Sequence, residues 1–198
     1  MEDCNLNDYR YNAMVDQYIK DDSPVVFGNF TASHASHIIT RFLESAQISV
    51  AVLSGSFADA FYDGLAIEFL LQQTAGRLSS NNGHIRIITT SGSYLTHLVE
   101  LCDRINAAFP ARKDNPVIQY IPALYSGKNP LKHFMVVDAK RYRLEEPHPS
   151  NGDQIPDYVK AEVCCNGRKK ASELLESFET IWRVLRPSTK TQVPAENV

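Results

Sequence analysis

Lys128-Asn-Pro-Leu-Lys-His-Phe-Met-Val-Val-Asp-Ala-Lys-Arg-Tyr-Arg-Leu-Glu145 is the stretch whose reading decides the fold. A turn signal, Gly127 to Pro130, leads into an apolar, β-branched run from Phe134 to Val137. Asp138-Ala139-Lys140 is a tight polar turn, and Tyr142 to Leu144 is a second short strand. The pattern predicts a β-hairpin with charged residues at its mouth. Most of the unusual polar chemistry of the chain lies on it: Lys132, His133, Asp138, Arg143 and Glu145.

Upstream of the hairpin the chain alternates helices and strands. Ile38, Ile39, Phe42, Leu43 and Ala46 recur at helical spacing, so residues 33–46 form an amphipathic helix that Thr31 or Ser33 can cap. Residues 47–53 are a buried strand ending in Ser54-Gly55-Ser56. Residues 64–80 are a helix with Leu65, Phe69, Leu70 and Thr74 inward, and residues 84–90 a strand ending in Ser91-Gly92-Ser93. A helix over 94–109 and a strand over 117–121 lead to the hairpin. Downstream, residues 158–165 alternate as a strand, and 168–185 carry the clearest helical stripe: Leu174, Leu175, Phe178, Ile181, Trp182 and Leu185. The order α, β, α, β, α, β, α, β, β, β, β, α predicts an α/β fold, a mixed β-sheet flanked by helices on both faces. Residues 1–30 are set apart as a polar segment with a short helix, 31–186 as the domain, and 187–198 as a disordered tail.

The hairpin resembles the signature strand of the phospholipase D superfamily, a His, any residue, a Lys, four residues and an Asp, apolar between Lys and Asp. The best register puts Leu131 at the His place, His133 at the Lys place and Asp138 at the Asp place. The family's later Gly-Ser-x-Asn element has no counterpart, because Arg143-Leu144-Glu145-Glu146 runs into Pro147. Phe178 and Trp182 match the Phe-x-x-x-Trp pattern common in the family's last helix. The resemblance covers about residues 33–186 and implies a single phospholipase D-like half-domain. Active sites in that superfamily form between two halves. One half alone implies a partner chain, as a homodimer or in a hetero-complex.

In the family, one histidine attacks phosphorus, another protonates the leaving group, and lysines hold the phosphate oxygens. Leu131 cannot attack anything. The resemblance therefore implies a catalytically degenerate domain, a binding or assembly subunit that contacts phosphate or nucleic acid, by analogy within a bacterial defence or mobile-element system. The alternative is a divergent phosphodiesterase or nuclease in which His133, Asp138 and Glu145 carry the chemistry. For binding, the candidates are Lys132 and Arg143 with Ser54, Ser56, Ser91 and Ser93, which sit at strand ends where α/β sheets place ligands. Each has a plainer reading as well. His133 can be a strand histidine satisfied by Asp138, Tyr142 or Glu145. Lys132, Arg141 and Arg143 can form a solvated face paired with Glu145 and Glu146, and each serine turn can simply precede a helix cap.

Composition narrows the classes. A net charge of -3 on 198 residues excludes attachment to nucleic acid by bulk charge, so any such site is a local patch. No apolar run reaches membrane-spanning length, and Met1 to Asp8 is too polar for a signal peptide. Cys4, Cys102, Cys164 and Cys165 lack a CxxC spacing and read as reduced thiols of a cytoplasmic protein. His34 and His37 stand i, i+3 near a helix start without a third ligand, so capping and solvation account for them, and neither metal nor cofactor is expected.

Overall fold

The computed structural model describes residues 3–55, 65–90, 95–123, 132–146 and 158–186. Its elements follow the predicted order: α1 (Asp3–Lys20), β1 (Val26–Thr31), α2 (Ala32–Ser45), β2 (Ser49–Ser54), α3 (Leu65–Ser80), β3 (His84–Thr89), α4 (Leu95–Ala107), β4 (Ile118–Pro122), β5 (Phe134–Val137), β6 (Arg141–Glu145), β7 (Tyr158–Cys164) and α5 (Arg168–Leu185). Among the described residues the strands form one seven-stranded sheet in the order β1-β7-β6-β5-β2-β3-β4. β2, β3 and β4 run parallel, as strands joined by helical crossovers must. β5 turns the sheet antiparallel against β2, and β6, β7 and β1 continue that way.

The strands alternate, and each face of the sheet has its own core. Val50, Val52, Ile85, Ile87, Met135, Val137 and Val163 meet α2, α3 and α4. Ala51, Leu53, Ile88, Phe134, Val136, Tyr142 and Cys164 meet Ala171, Leu174, Phe178 and Trp182 of α5. Phe178 and Trp182 stack at 5.6 Å, and the Arg86 guanidinium lies 5.3 Å from the Trp182 ring centroid. Cys164 and Cys165 fall on opposite faces, as adjacent strand residues do.

Thr31 caps α2. It is extended, at φ -121 and ψ 161, and its Oγ1 accepts from the His34 N–H at 3.1 Å. Ala35, Ile38, Ile39, Phe42 and Leu43 then bury one face of that helix.

The structure departs from the sequence reading in three places. Phe69, expected inside α3, is 62% exposed, while Ile67, Leu71, Ala75 and Leu78 join Leu70 and Thr74 in the interior. A helix packed between a sheet and a neighbouring helix buries a wide arc, and Phe69 lies just past its rim. The described part of the segment set apart as polar, residues 3–30, is built into the same body. β1 is the edge strand beside β7, and α1 lies on α2 through His37–Asp16 and Arg41–Asp16 pairs of 2.9 and 2.8 Å. Arg143 does not lie on a solvated face, since it is 1% exposed. The predicted tail, 187–198, lies outside the described residues.

Candidate functional site

The hairpin directions decide which residues meet. β5 runs opposite to β2, so its first residues lie beside the C-terminal end of β2. The recorded pairs Leu53↔Phe134 and Phe134↔Leu144, continued by one residue, set His133 between Ser54 and Glu145. The Glu145 N–H donates to the His133 carbonyl at 2.9 Å, which extends the β5–β6 ladder by that residue. Their side chains consequently share a face. Arg143, two residues before Glu145, shares it too.

Around this point the sheet turns from apolar to ionic. The Glu145 carboxylate is 7% exposed. Its Oε2 lies 3.2 Å from His133 Nδ1, and its Oε1 accepts from the Arg143 guanidinium. Arg143 Nε donates to Asn29 Oδ1 at 3.0 Å, and Asn29 is fully buried on β1. An ionised carboxylate only accepts, so Glu145 in that form meets the tautomer of His133 that carries its proton on Nδ1. α1 approaches from above. Tyr11 donates from its hydroxyl to the Gly28 carbonyl at 2.9 Å and stacks on His34 at 3.7 Å. Burial pushes the Tyr11 phenol well up, and the nearby Arg143 charge offsets part of that shift.

His133 is partly open at the strand ends, with 21% of its side chain exposed. Its ring runs against Gly55. A Cβ at that position would stand 2.9 Å from His133 Cε1 and 3.2 Å from Nε2. The ends of β2 and β3 are stitched together alongside, where the Thr90 N–H donates to the Ser54 and Gly55 carbonyls at 3.0 and 2.9 Å. Lys132 is exposed beside His133.

Asp138 is elsewhere. It lies past the far end of β5, about 16 Å from His133 at the rise of an extended strand. Its carboxylate accepts from the N–H groups of Gln47 at 3.0 Å, Ile48 at 2.8 Å and Ser49 at 2.9 Å. There it tethers the start of β2 to the hairpin turn. Of the sequence candidates, His133, Glu145 and Arg143 therefore meet on one face at the strand ends, Ser54 closes the neighbouring strand, Lys132 is the exposed residue before His133 in the chain, and Asp138 does not join them. Ser56, Ser91 and Ser93 lie outside the described residues. Asn29, Tyr11 and Gly55 were not singled out by sequence. Asn29 had one visible signal, since it alternates with Phe27 on an otherwise apolar strand.

Three further histidines have acidic neighbours. His34 pairs with Asp8 at 3.1 Å, His37 with Asp16, and His97 with Glu68 at 3.0 Å. Among the described residues no group of three His, Cys, Asp or Glu side chains converges as a metal site, and no helix is long and apolar enough to cross a membrane.

No family model and no curated protein sequence matches the chain. Solved structures do. The chain is similar to TrmBL2, an archaeal chromatin protein, at 10% identity and a TM-score of 0.55, over 92% of this chain and 63% of that one. It thus spans less than two thirds of TrmBL2. It is similar to Nuc from Salmonella typhimurium, a phospholipase D family member, at 15% identity and a TM-score of 0.54, over 81% of this chain and 95% of that one. NucT from Helicobacter pylori aligns at 11% identity and a TM-score of 0.50, over 80% and 97%. Likeness at these identities is one of fold, and the chain has the α/β architecture of the phospholipase D-like proteins.

Proposed function

We propose that this chain is a catalytically degenerate phospholipase D-like domain, a binding or assembly subunit whose strand ends at His133 take a phosphate-bearing ligand, nucleic acid above all. The observation that carries this reading is how the charges around His133 are committed. Arg143 and Glu145, the ions on the imidazole's face of the sheet, are buried and bonded to each other. A phosphoryl transfer needs a nucleophile facing cations that stabilise the phosphoryl oxygens. The motif's nucleophile place holds Leu131 and its lysine place holds His133. Exposed Lys132 beside a partly open imidazole suits anion binding better than bond cleavage. TrmBL2, which shares this fold, is a protein with a described mode of DNA binding, and that supports nucleic acid as the ligand class.

The second reading, a divergent phosphodiesterase, is favoured by one contact. A histidine whose Nδ1–H is held by a buried carboxylate is oriented as a general base would be. One pair of assays separates the two. Purified protein and its His133→Ala variant are tested for hydrolysis of a generic phosphodiester and of single- and double-stranded DNA and RNA. Binding of the same nucleic acids is followed against salt. The proposal expects no turnover, together with salt-sensitive binding weakened in Lys132→Ala and His133→Ala. Turnover that disappears with His133 would establish the enzyme reading instead.

We also place the protein in the cytoplasm, where Cys102, Cys164 and Cys165, free and buried in the fold, stay reduced. As a single half-domain it is expected to pair with its own copy or another chain. Sedimentation alone and with the products of neighbouring genes tests this, and a monomer in every mixture would count against it.

A further inference from the structure

A buried ion pair is a costly way to fill a sheet face. Replacing one with apolar side chains of similar volume is often neutral or stabilising. Arg143 and Glu145 nevertheless stand among Met135, Val137 and Val163, where apolar residues would pack. Their arrangement is directional. Asn29 Oδ1 holds Arg143 Nε, Arg143 holds one oxygen of Glu145, and the other oxygen is left to meet His133 Nδ1. On the far side of the ring, the missing side chain of Gly55 makes room for Cε1 and Nε2.

We propose that Glu145, held by Arg143 and Asn29, is the positioning residue of the His133 site, and that it fixes the imidazole as the Nδ1–H tautomer with Nε2 turned toward the β2 end at Gly55. The consequence concerns the ligand. While the ring is neutral, Nε2 is an acceptor and takes a hydroxyl-bearing group, such as the P–OH of inorganic phosphate or a monoester, whereas the ionised diester of a nucleic-acid backbone offers it no donor. Once the ring is protonated, Nε2–H donates to a phosphate oxygen. This deepens the phosphate-binding reading above, but the tautomer itself does not depend on that reading.

The test is nitrogen NMR of protein labelled at histidine, at a pH where the imidazoles are neutral, with His133 assigned through His133→Gln. Wild type is expected to show Nδ1 protonated. In Glu145→Gln, Arg143 still claims the amide oxygen, so the amide NH2 faces Nδ1 and drives the proton to Nε2. The two ring-nitrogen signals should exchange character. An Nε2–H tautomer in wild type, or an unchanged tautomer in folded Glu145→Gln, overturns the proposal. Gly55→Ala is a second variant that leaves the buried charges in place. Its Cβ should push the ring off Glu145 and produce a mixed tautomer, and a wild-type spectrum from it would also overturn the proposal. Inorganic phosphate is then titrated into wild type. A shift at His133 supports the phosphate reading. Its absence beside an intact Nδ1–H tautomer removes that reading and leaves the positioning role standing.

Discussion

The two ends of the β5–β6 hairpin use charge in opposite ways. At the turn, the Asp138 carboxylate is met by backbone N–H groups of three consecutive residues, Gln47, Ile48 and Ser49. At the mouth, the Glu145 carboxylate is met by side chains, Arg143 and His133. Backbone donors stay where the sheet register puts them, so the turn is a fixed joint. Side-chain donors can be exchanged or moved, so the mouth is the end where the same fold can acquire or lose a site. The residue types alone do not distinguish the two carboxylates, whereas their partners do.

The largest effect is expected at the mouth. Arg143→Ala leaves Glu145 buried without its cation and should cost about 3–5 kcal/mol of stability in a denaturant titration. The double variant Arg143→Met, Glu145→Leu should recover most of that loss. If Arg143→Ala costs under about 1 kcal/mol, the mouth is wetter than its burial indicates and the contrast with the turn weakens. Asp138→Ala comes next. It removes charge-assisted bonds to three N–H groups and should cost about 2–3 kcal/mol. Hydrogen exchange at Ile48 and Ser49 should rise with it. Slow exchange in that variant would show that β2 does not need the tether.

A smaller effect separates the ends by pH. Cys165 lies toward the turn end, near Arg141 and Asp22, and burial pushes its thiol up to about 12, with Arg141 offsetting part of the rise. The folded state therefore keeps a proton that the unfolded chain releases near 9. The resulting stability is complete below pH 9 and is lost as pH rises toward 12. Cys165 should contribute a fall of about 1 kcal/mol in unfolding free energy from pH 8 to 10, and Cys165→Ala should remove that share of the slope. The smallest effect belongs to the turn itself. Asp138 and Ala139 both have positive φ, 54 and 51, in a turn closed by the Lys140 N–H to the Val137 carbonyl at 3.0 Å. Ala139→Gly should relieve the left-handed strain and stabilise by about 0.5–1 kcal/mol. A loss instead would mean that the Ala139 methyl contributes packing.

The sequence by itself determined the order of elements, the hairpin and the α5 stripe, and it narrowed the α2 cap to Thr31 or Ser33. These depend on periodicities and turn chemistry confined to a few neighbouring residues. It also offered Glu145, beside Asp138 and Tyr142, as a neighbour that could satisfy His133, because hairpin register is local. Only the tertiary structure decided the rest. Phe69 faces outward because its burial depends on where α3 meets its neighbours. Asp138 became a tether because residues 47–49, about ninety positions earlier, bring their N–H groups to it. Arg143 is buried inside the sheet because β7 and β1 extend it beyond β6 and supply Asn29, 114 residues away, to hold its Nε. Charge, spacing and pattern say what a side chain can do. Whether it meets water, a backbone dipole or another ion is set by strand order, which arises from contacts between segments distant in the chain.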